Sequence, residues 1–343
     1  TSIHQNISKL EAGTSFSISP FKSSAINFNK YWSLEYRPDY SKNQSEFEEE
    51  IRNVINESIK MRMISDVPIG AFLSGGVDSS SVVASMSQQS DKPIKTFSIG
   101  FKEQKFNELK YANIVSKKYN TDHHELVVEP KSIDLLPDLV KSYDEPFADS
   151  SSIPTYYLSK FAREHVTVAL SGDGGDELFA GYSSYNNMLK LHNRPFNNKL
   201  INSFISGVHK ICPEHINLKK WAYYFSVEST NIGAYLGIFK PYEKSNLYNN
   251  DLKSQLNHYQ SESVKIKLLK SFNGDFISKM QQLDMNTYLV DDILTKVDRA
   301  SMSNSLEVRV PLLDHKLVEL SARIPSTFKS NNNGQKIIFK NAF

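Results

Sequence analysis

A chain of 343 residues with 39% hydrophobic and 23% charged residues can bury a sizeable core, has the balance of an ordinary globular protein, and suggests about two domains. Its net charge of +2, with no basic stripe and no run of arginines, gives no push toward nucleic acid or a membrane surface. The single cysteine, Cys212, excludes an internal disulfide and a cysteine-based zinc cluster, so a reducing, cytoplasmic setting is expected. No stretch approaches the ~20 apolar residues of a membrane helix, and Thr1-Ser2-Ile3-His4 lacks the basic start of a secretion signal. The chain opens on Thr1 and stops at Phe343 inside a helix-like pattern, so both ends are expected to be cuts in a longer protein.

Residues 1–40 mix polar and aromatic side chains around Gly13 and Pro20 and predict short strands or an extended connector. Phe47, Ile51, Val54, Ile55, Ile59 and Met63 recur at helical spacing, predicting an amphipathic helix over 44–63. A buried strand over 66–73 then leads into Ser74-Gly75-Gly76-Val77-Asp78-Ser79-Ser80, followed by a helix through Val82, Val83 and Met86. Further strands are predicted at 95–101, 124–128 and 166–170, with helices at 109–119 and 132–143. The last strand ends in Ser171-Gly172-Asp173-Gly174-Gly175-Asp176-Glu177. Beyond about 183 the pattern is helical, with no strand signal, and Asn331-Asn332-Asn333-Gly334 reads as a loop. Strands alternating with helices imply a parallel α/β sheet, and ligands of such sheets bind beyond the carboxyl ends of the strands.

Both glycine-rich loops fall at such ends. In the first, Gly75 and Gly76 permit unusual backbone angles and close approach of a ligand, and amides at a helix start suit a phosphate. Ser74, Ser79 and Ser80 add hydroxyl donors. The loop lacks the Gly-Lys-Ser/Thr ending of kinase and GTPase P-loops. Asp78 would repel a bare phosphate and makes sense as a ligand of magnesium travelling with ATP. A plain Gly-Gly turn with an Asp/Ser helix cap accounts for the same residues. The second loop packs three carboxylates and three glycines into seven positions, which a cation would relieve. A solvated acidic turn at a helix start is the alternative. Two such loops after two strands of one sheet favour the nucleotide reading.

Together these residues resemble the asparagine synthetase family, within the ATP pyrophosphatases that carry a Ser-Gly-Gly-x-Asp-Ser loop, here Ser74–Ser79. That larger group includes GMP synthetase, NAD synthetase and argininosuccinate synthetase. Leu170 to Tyr182 looks like asparagine synthetase rather than those relatives, as do Asp144-Glu145-Pro146-Phe147-Ala148-Asp149, Asp298-Arg299-Ala300-Ser301-Met302 and Leu306 to Asp314. The resemblance implies a parallel-sheet, adenine nucleotide alpha hydrolase-like core over about 60–182 and a helical part over 183–343, together a synthetase domain of 41–343. Residues 1–40 would be the remnant of an N-terminal glutaminase domain and its linker. The implied chemistry uses ATP and Mg2+: adenylation of the aspartate side chain, release of pyrophosphate, then attack by ammonia to give asparagine.

By position in the family, Ser74, Gly75, Gly76, Asp78 and Ser79 would hold pyrophosphate and its metal, and Leu73 with Ser98, Ile99 and Gly100 the nucleoside. Ser171 and Gly172 would also face ATP, Asp176 would be a second magnesium ligand, and Asp173 would handle the proton of incoming ammonia. Asp78 and Asp173 are thus the catalytic candidates. Arg299 and Arg309 could bind phosphate, or Arg309 could pair with Glu307 in a buried network supporting the site. The family's phosphate-contacting lysine is expected in a segment beyond 334–336, so Lys336 and Lys340, placed in the preceding helix, are not assigned that role. Cys212 and the scattered histidines read as structural or surface residues.

The implied partners are small molecules and the parent's glutaminase domain, with a homodimer left open and no nucleic acid or membrane. Amidation of a sugar uronic acid, or ring closure as in β-lactam synthetase-like enzymes, keeps the chemistry with another carboxylate. A non-catalytic nucleotide-binding module is the reading of a different class.

Overall fold

The computed structural model describes residues 2–18, 26–102, 107–128, 132–194, 205–207, 217–235, 237, 239–257, 259–331 and 334–343. Cys212 and the centre of the Asn331–Gly334 loop lie outside them. The chain forms two compact units, and each is assembled from separated stretches. The first takes residues 1–35, 58–171 and 294–322; the second takes 36–57, 172–293 and 323–343.

Near the N-terminus of the first unit, β1 (Thr14–Ser17) and β2 (Asn27–Lys30) pair antiparallel, with Thr14 opposite Lys30. Helix α1 (Gln44–Arg62) starts in the second unit and ends in the first. Its start is a reciprocal cap, because the Asn43 amide donates to Glu46 and the Glu46 amide donates to Asn43 Oδ1 at 3.1 Å. Phe47, Ile51, Ile55 and Ile59, spaced four apart, are all fully buried, the stripe that the periodicity predicts.

The sheet of the first unit follows. In chain order come β3 (Ile69–Phe72), α2 (Val77–Gln88), β4 (Lys95–Phe101), α3 (Leu109–Tyr119), β5 (Asp122–Val128), α4 (Ser132–Tyr143), α5 (Ser152–Arg163) and β6 (Val168–Leu170). Helix α3 stops at Asn120, whose left-handed φ of 49° lets its amide cap Ser116 O. Helix α5, not among the expected helices, packs Ile153, Tyr156, Tyr157, Leu158 and Phe161 against the neighbouring cores and fully buries the small residues Ser152, Ser159 and Ala162.

The second unit is helical. It begins with α6 (Gly175–Phe179) and α7 (Ser183–His192) and continues through α8 (Asn217–Ser226), α9 (Pro241–Leu247), α10 (Asn250–Leu256) and α11 (Glu262–Ser271) to α12 (Phe276–Asn286). Ala180, Tyr185, Ala234, Leu269, Ile277, Met280 and Leu283 form a core around α12. A π-helical turn, Leu289–Leu294, carries the chain back toward the first unit, which it re-enters at Leu294.

There α13 (Thr295–Met302) leads to β7 (Glu307–Arg309), and α14 (His315–Arg323) follows. Two further helices of the second unit, α15 (Ser326–Lys329) and α16 (Ile337–Ala342), complete the chain. The helical reading of everything after 183 therefore needs one correction. Glu307-Val308-Arg309 is a strand, too short and too polar to produce an alternating pattern, and it joins the sheet by pairing parallel to β6.

The sheet order is β5-β4-β3-β6-β7, and every pairing is parallel. From β3 the chain builds outward to β4 and β5, then returns to the other side of β3 for β6 and β7. The strand order thus reverses between β3 and β6, and such a switch point leaves a crevice at the carboxyl ends of the strands. Phe97, Ala162, Val166, Ala169 and Leu306 pack as a core beneath it. Among the described residues no helix is long and apolar enough to cross a membrane.

The turn after β7 is tied to the end of α1 by Arg62, whose Nη1 donates to Asp314 Oδ2 at 2.9 Å and to Ser58 Oγ at 2.8 Å. Burial alone would raise the Asp314 carboxyl, but hydrogen bonds from Arg62 and from the Lys316 amide outweigh it and hold the group below its usual 3.8. A folded value below the unfolded one means that the contribution is full above the unfolded value and is lost as pH falls through the folded one. Asp314→Asn should cost about 1–2 kcal/mol at neutral pH, since Arg62 keeps partial contact with water. Urea unfolding of the two proteins should converge in acid.

Candidate functional site

The first glycine-rich loop continues straight from β3. The Leu73 amide donates to Phe97 O at 2.9 Å, extending the ladder one residue past the strand. The loop then closes on itself: the Ser74 amide donates to Ser79 Oγ at 3.2 Å, the two hydroxyls lie 3.0 Å apart, and the Gly76 amide donates to Ser74 Oγ at 3.2 Å. The two glycines have different reasons. Gly75 has a φ of +79°, and a Cβ there would lie 2.4 Å from Tyr111 C, so it is needed for the turn and for α3 to pack close. Gly76 sits at φ −69°, ψ 158°, angles open to any residue, so the expectation that its backbone needs glycine is corrected. A Cβ at Gly76 would meet only Ser74 Oγ at 3.2 Å, which leaves room above the loop.

Asp78 falls in the first turn of α2, and Ser79 is buried behind it. Ser98, Ile99 and Gly100 form the carboxyl half of neighbouring β4. The Ser98 hydroxyl donates to Leu73 O, which fixes the exit of β3 to β4, and Gly100 is closed over by Leu109 of α3, 2.5 Å from a Cβ built there. On the other side of β3, the Ser171 amide donates to Arg309 O at 2.9 Å, so β7 holds the exit of β6. The Ser171 hydroxyl is buried, 3% exposed, and has no hydrogen-bond partner among the described residues. A buried hydroxyl in that state has hydrogen-bonding capacity that water or a ligand would fill. The structure therefore brings Leu73, Ser74, Ser79, Ser98 and Ser171 to the carboxyl ends of three adjacent strands.

At Gly172 the chain passes into the second unit. Gly174, with φ +91°, turns it into α6, and Ala180, with φ +54°, ends that helix after five residues. Asp173 precedes the turn and Asp176 lies in the first turn of α6. The Asp176 carboxylate has a partner that sequence reasoning set aside. Lys336 Nζ is 2.7 Å from Asp176 Oδ1, with the lysine almost wholly buried. Lys336 is not inside a helix but caps α16 with a left-handed φ of +53°, which aims its side chain away from the helix direction. No periodicity carries that information; the adjacent Gly334-Gln335 was the only local sign of a turn. Gly181 exists for this pair, since a Cβ there would lie 1.9 Å from Asp176 Oδ1 and 2.1 Å from Lys336 Cε.

The third carboxylate of the loop turns inward. Glu177 is buried and accepts the Tyr182 hydroxyl, and burial pushes its pKa up to about 7. It is therefore not one of the outward groups.

Among the described residues no three His, Cys, Asp or Glu side chains gather into a metal cluster. Magnesium needs less: one or two hard carboxylates plus phosphate oxygens and water. Asp78 and Asp176, each at the start of a helix after a glycine turn, have donor chemistry that fits it.

The block from 298 to 314 divides. Arg299 pairs with Asp144 at 3.1 Å on the surface. Arg309 does pair with Glu307, but Glu307 is 55% exposed, so the expected buried network is absent; a three-residue edge strand leaves that side chain in water. Arg309 is anchored instead by donating to the carbonyls of Arg62 and Ile64 at 2.8 and 2.7 Å. A closer pair stands at the start of α13, where Lys296 Nζ lies 3.0 Å from Asp149 Oδ2 and 2.8 Å from Ser151 Oγ. Of the histidines, His124 and His165 stack 4.2 Å apart beside Phe97, a packing role.

A parallel sheet whose strand order reverses between β3 and β6, with a glycine-rich loop leaving each of those strands, defines an open α/β fold of the kind that binds ligands at its switch point. The family model described as asparagine synthase matches residues 50–343, and the chain belongs to that family. Asparagine synthetase (glutamine-hydrolyzing) 1 of Bacillus subtilis (strain 168) is 33% identical over 351 residues, covering 100% of this chain and 53% of that protein. Putative asparagine synthetase (glutamine-hydrolyzing) 2 of Methanocaldococcus jannaschii is 37% identical over 309 residues, covering 88% of this chain and 58% of that protein. The chain thus spans about half the length of these curated relatives. Among solved structures, the NH3-dependent NAD synthetase of Campylobacter jejuni has a TM-score of 0.30 and 14% identity, covering 72% of this chain and 96% of that one.

Gly181→Ala should force Asp176 and Lys336 apart and destabilise the protein by about 1–3 kcal/mol. In a Lys336→Ala background, where one of the two obstructing groups is gone, the same substitution should cost measurably less in urea unfolding.

Proposed function

We propose that the chain forms an amide at the expense of ATP, with the aspartate side chain as acceptor. The aspartate carboxylate attacks the α-phosphorus of ATP, pyrophosphate leaves, and ammonia displaces AMP from the acyl-adenylate to give asparagine. The observation that carries this reading is the buried, unpartnered Ser171 hydroxyl at the strand-order switch, one strand away from the Ser74–Ser79 loop. Membership of the asparagine synthase family supports it.

In this reading Leu73, Ser98, Ile99 and Gly100 receive the nucleoside. Ser74, Gly75, Gly76 and Ser79 hold the pyrophosphate through hydroxyls and amides at the start of α2. Ser171 and Gly172 contact ATP from the end of β6. Asp78 and Asp176 would hold magnesium, which when bound offsets the charge that builds on the departing pyrophosphate. Lys336, held against Asp176, adds positive charge at the acidic loop. Asp173 takes a proton from ammonia as the carbon–nitrogen bond forms. Residues 1–40 are proposed as the end of a glutaminase domain and its linker, with residues 41–343 as the synthetase part. Ammonia would then come from glutamine in the parent protein, and the reaction would run in the cytoplasm.

Pyrophosphate release from ATP, magnesium and ammonium tests the reading, with aspartate, no acceptor, or a panel of uronic acids. Release should require aspartate and fall on the order of 100-fold or more in Asp78→Asn. Release with a uronic acid alone would replace the substrate and keep the mechanism. ATP binding without release for any acceptor would overturn the enzymatic reading.

A further inference from the structure

Helix α6 has five residues, too few to persist without outside support. Two of its carbonyls, Glu177 O and Leu178 O, face the interior of the second unit. Both accept from a single nitrogen, Gln281 Nε2 of α12, at 2.6 and 2.7 Å. Gln281 is itself fully buried. A side-chain amide can present either its nitrogen or its oxygen, and the wrong face here would set three oxygens against one another. The orientation is secure only if something donates to Oε1. Lys329, the last residue of α15, does so: its Nζ lies 3.1 Å from Gln281 Oε1.

Lys329 is an expensive donor. It is 0% exposed, lies over the Tyr36 ring at 5.3 Å, and has a neutral amide rather than a carboxylate as its hydrogen-bonded partner. Burial pulls its pKa down to about 7. A methionine would fill the same volume but leave the buried Gln281 Oε1 without a donor, so that exchange lowers stability as well as freeing the amide to turn. What the lysine supplies at this position is the donor that fixes which face Gln281 turns to α6.

We propose that Lys329 is a positioning residue for the acidic loop: it orients Gln281, which holds the carbonyls of α6 and so sets the direction of Asp173 and Asp176 toward magnesium-ATP. The chain of contacts is continuous from Lys329 to Gln281 to the backbone of Glu177 and Leu178, immediately after Asp176. An amine donates in either protonation state, so the relay operates throughout the neutral range. The inference rests on the reading that Asp176 belongs to the magnesium-ATP site.

The test compares wild type, Lys329→Met, Gln281→Glu and Asp176→Asn. Gln281→Glu keeps an acceptor for Lys329 and removes the donor to α6. Two quantities are measured: the melting temperature, and the magnesium concentration for half-maximal ATP binding by calorimetry. Lys329→Met should melt below the wild type, because Gln281 Oε1 loses its donor, and the folded protein should need about tenfold more magnesium, the scale on which outer partners of metal ligands act. Gln281→Glu should show the same magnesium defect. A folded Lys329→Met protein that binds magnesium-ATP normally, while Asp176→Asn does not, overturns the proposal. If Asp176→Asn itself leaves the magnesium dependence unchanged, the reading of the acidic loop fails instead, and the inference that rests on it falls with it.

Discussion

Strand β3 has backbone ladders on both sides, to β4 from Gly70 opposite Lys95 and to β6 from Ile69 opposite Val168. The placement of the first glycine-rich loop and of Ser171 depends on those two registers. A slip of one residue in either would turn a strand over and carry its exit to the other face of the sheet. Two contacts just past the strands guard against it: the Leu73 amide bonded to Phe97 O and the Ser171 amide bonded to Arg309 O. The first continues the ladder with β4, and the second recruits β7, which pairs with β6 along all three of its residues.

The acidic loop of the second unit is held by different means. A glycine turn and a five-residue helix set its backbone. Its outward carboxylate meets Lys336 across a gap that only Gly181 leaves open, and its inward carboxylate, Glu177, is sealed under Tyr182. Like charges that would repel in a flexible turn are thus separated by direction. Asp176 and Glu177 are adjacent in the sequence and face opposite environments, one paired with a cation and one pushed toward neutrality by burial.

Much of α1 and of the first unit was legible because these elements are the kind that periodicity reports. The stripe of Phe47, Ile51, Ile55 and Ile59, the apolar β4 and the helix over 109–119 all fall where their patterns put them. The glycine-rich loops were legible as loops at strand ends, through the unusual company of glycine, serine and aspartate. Helix α5 was missed although Ile153, Tyr156, Tyr157 and Phe161 recur at helical spacing, and β7 was too short to alternate. Lys336 was expected inside a helix, but it stands just before one with a left-handed backbone angle, and its pairing with Asp176 has no local signature. Lys329 and Gln281 lie 48 residues apart and meet only once the second unit has closed. Pairings of that kind have no local signature.

The interleaving of the two units also bears on how the protein is made. Strands β3, β4, β5 and β6 leave the ribosome in one run, but β7, which covers the far side of β6, follows only after the whole helical stretch from 172 to 293. Until then β6 is an exposed edge with three apolar residues, Val168, Ala169 and Leu170, and its ladder is open on one side. Edges of that kind invite pairing with other chains, and contacts this distant in sequence form slowly. The helical unit thus acts during synthesis as a delay between the sheet and its closing strand, and the nascent protein is most exposed to misassembly during that interval.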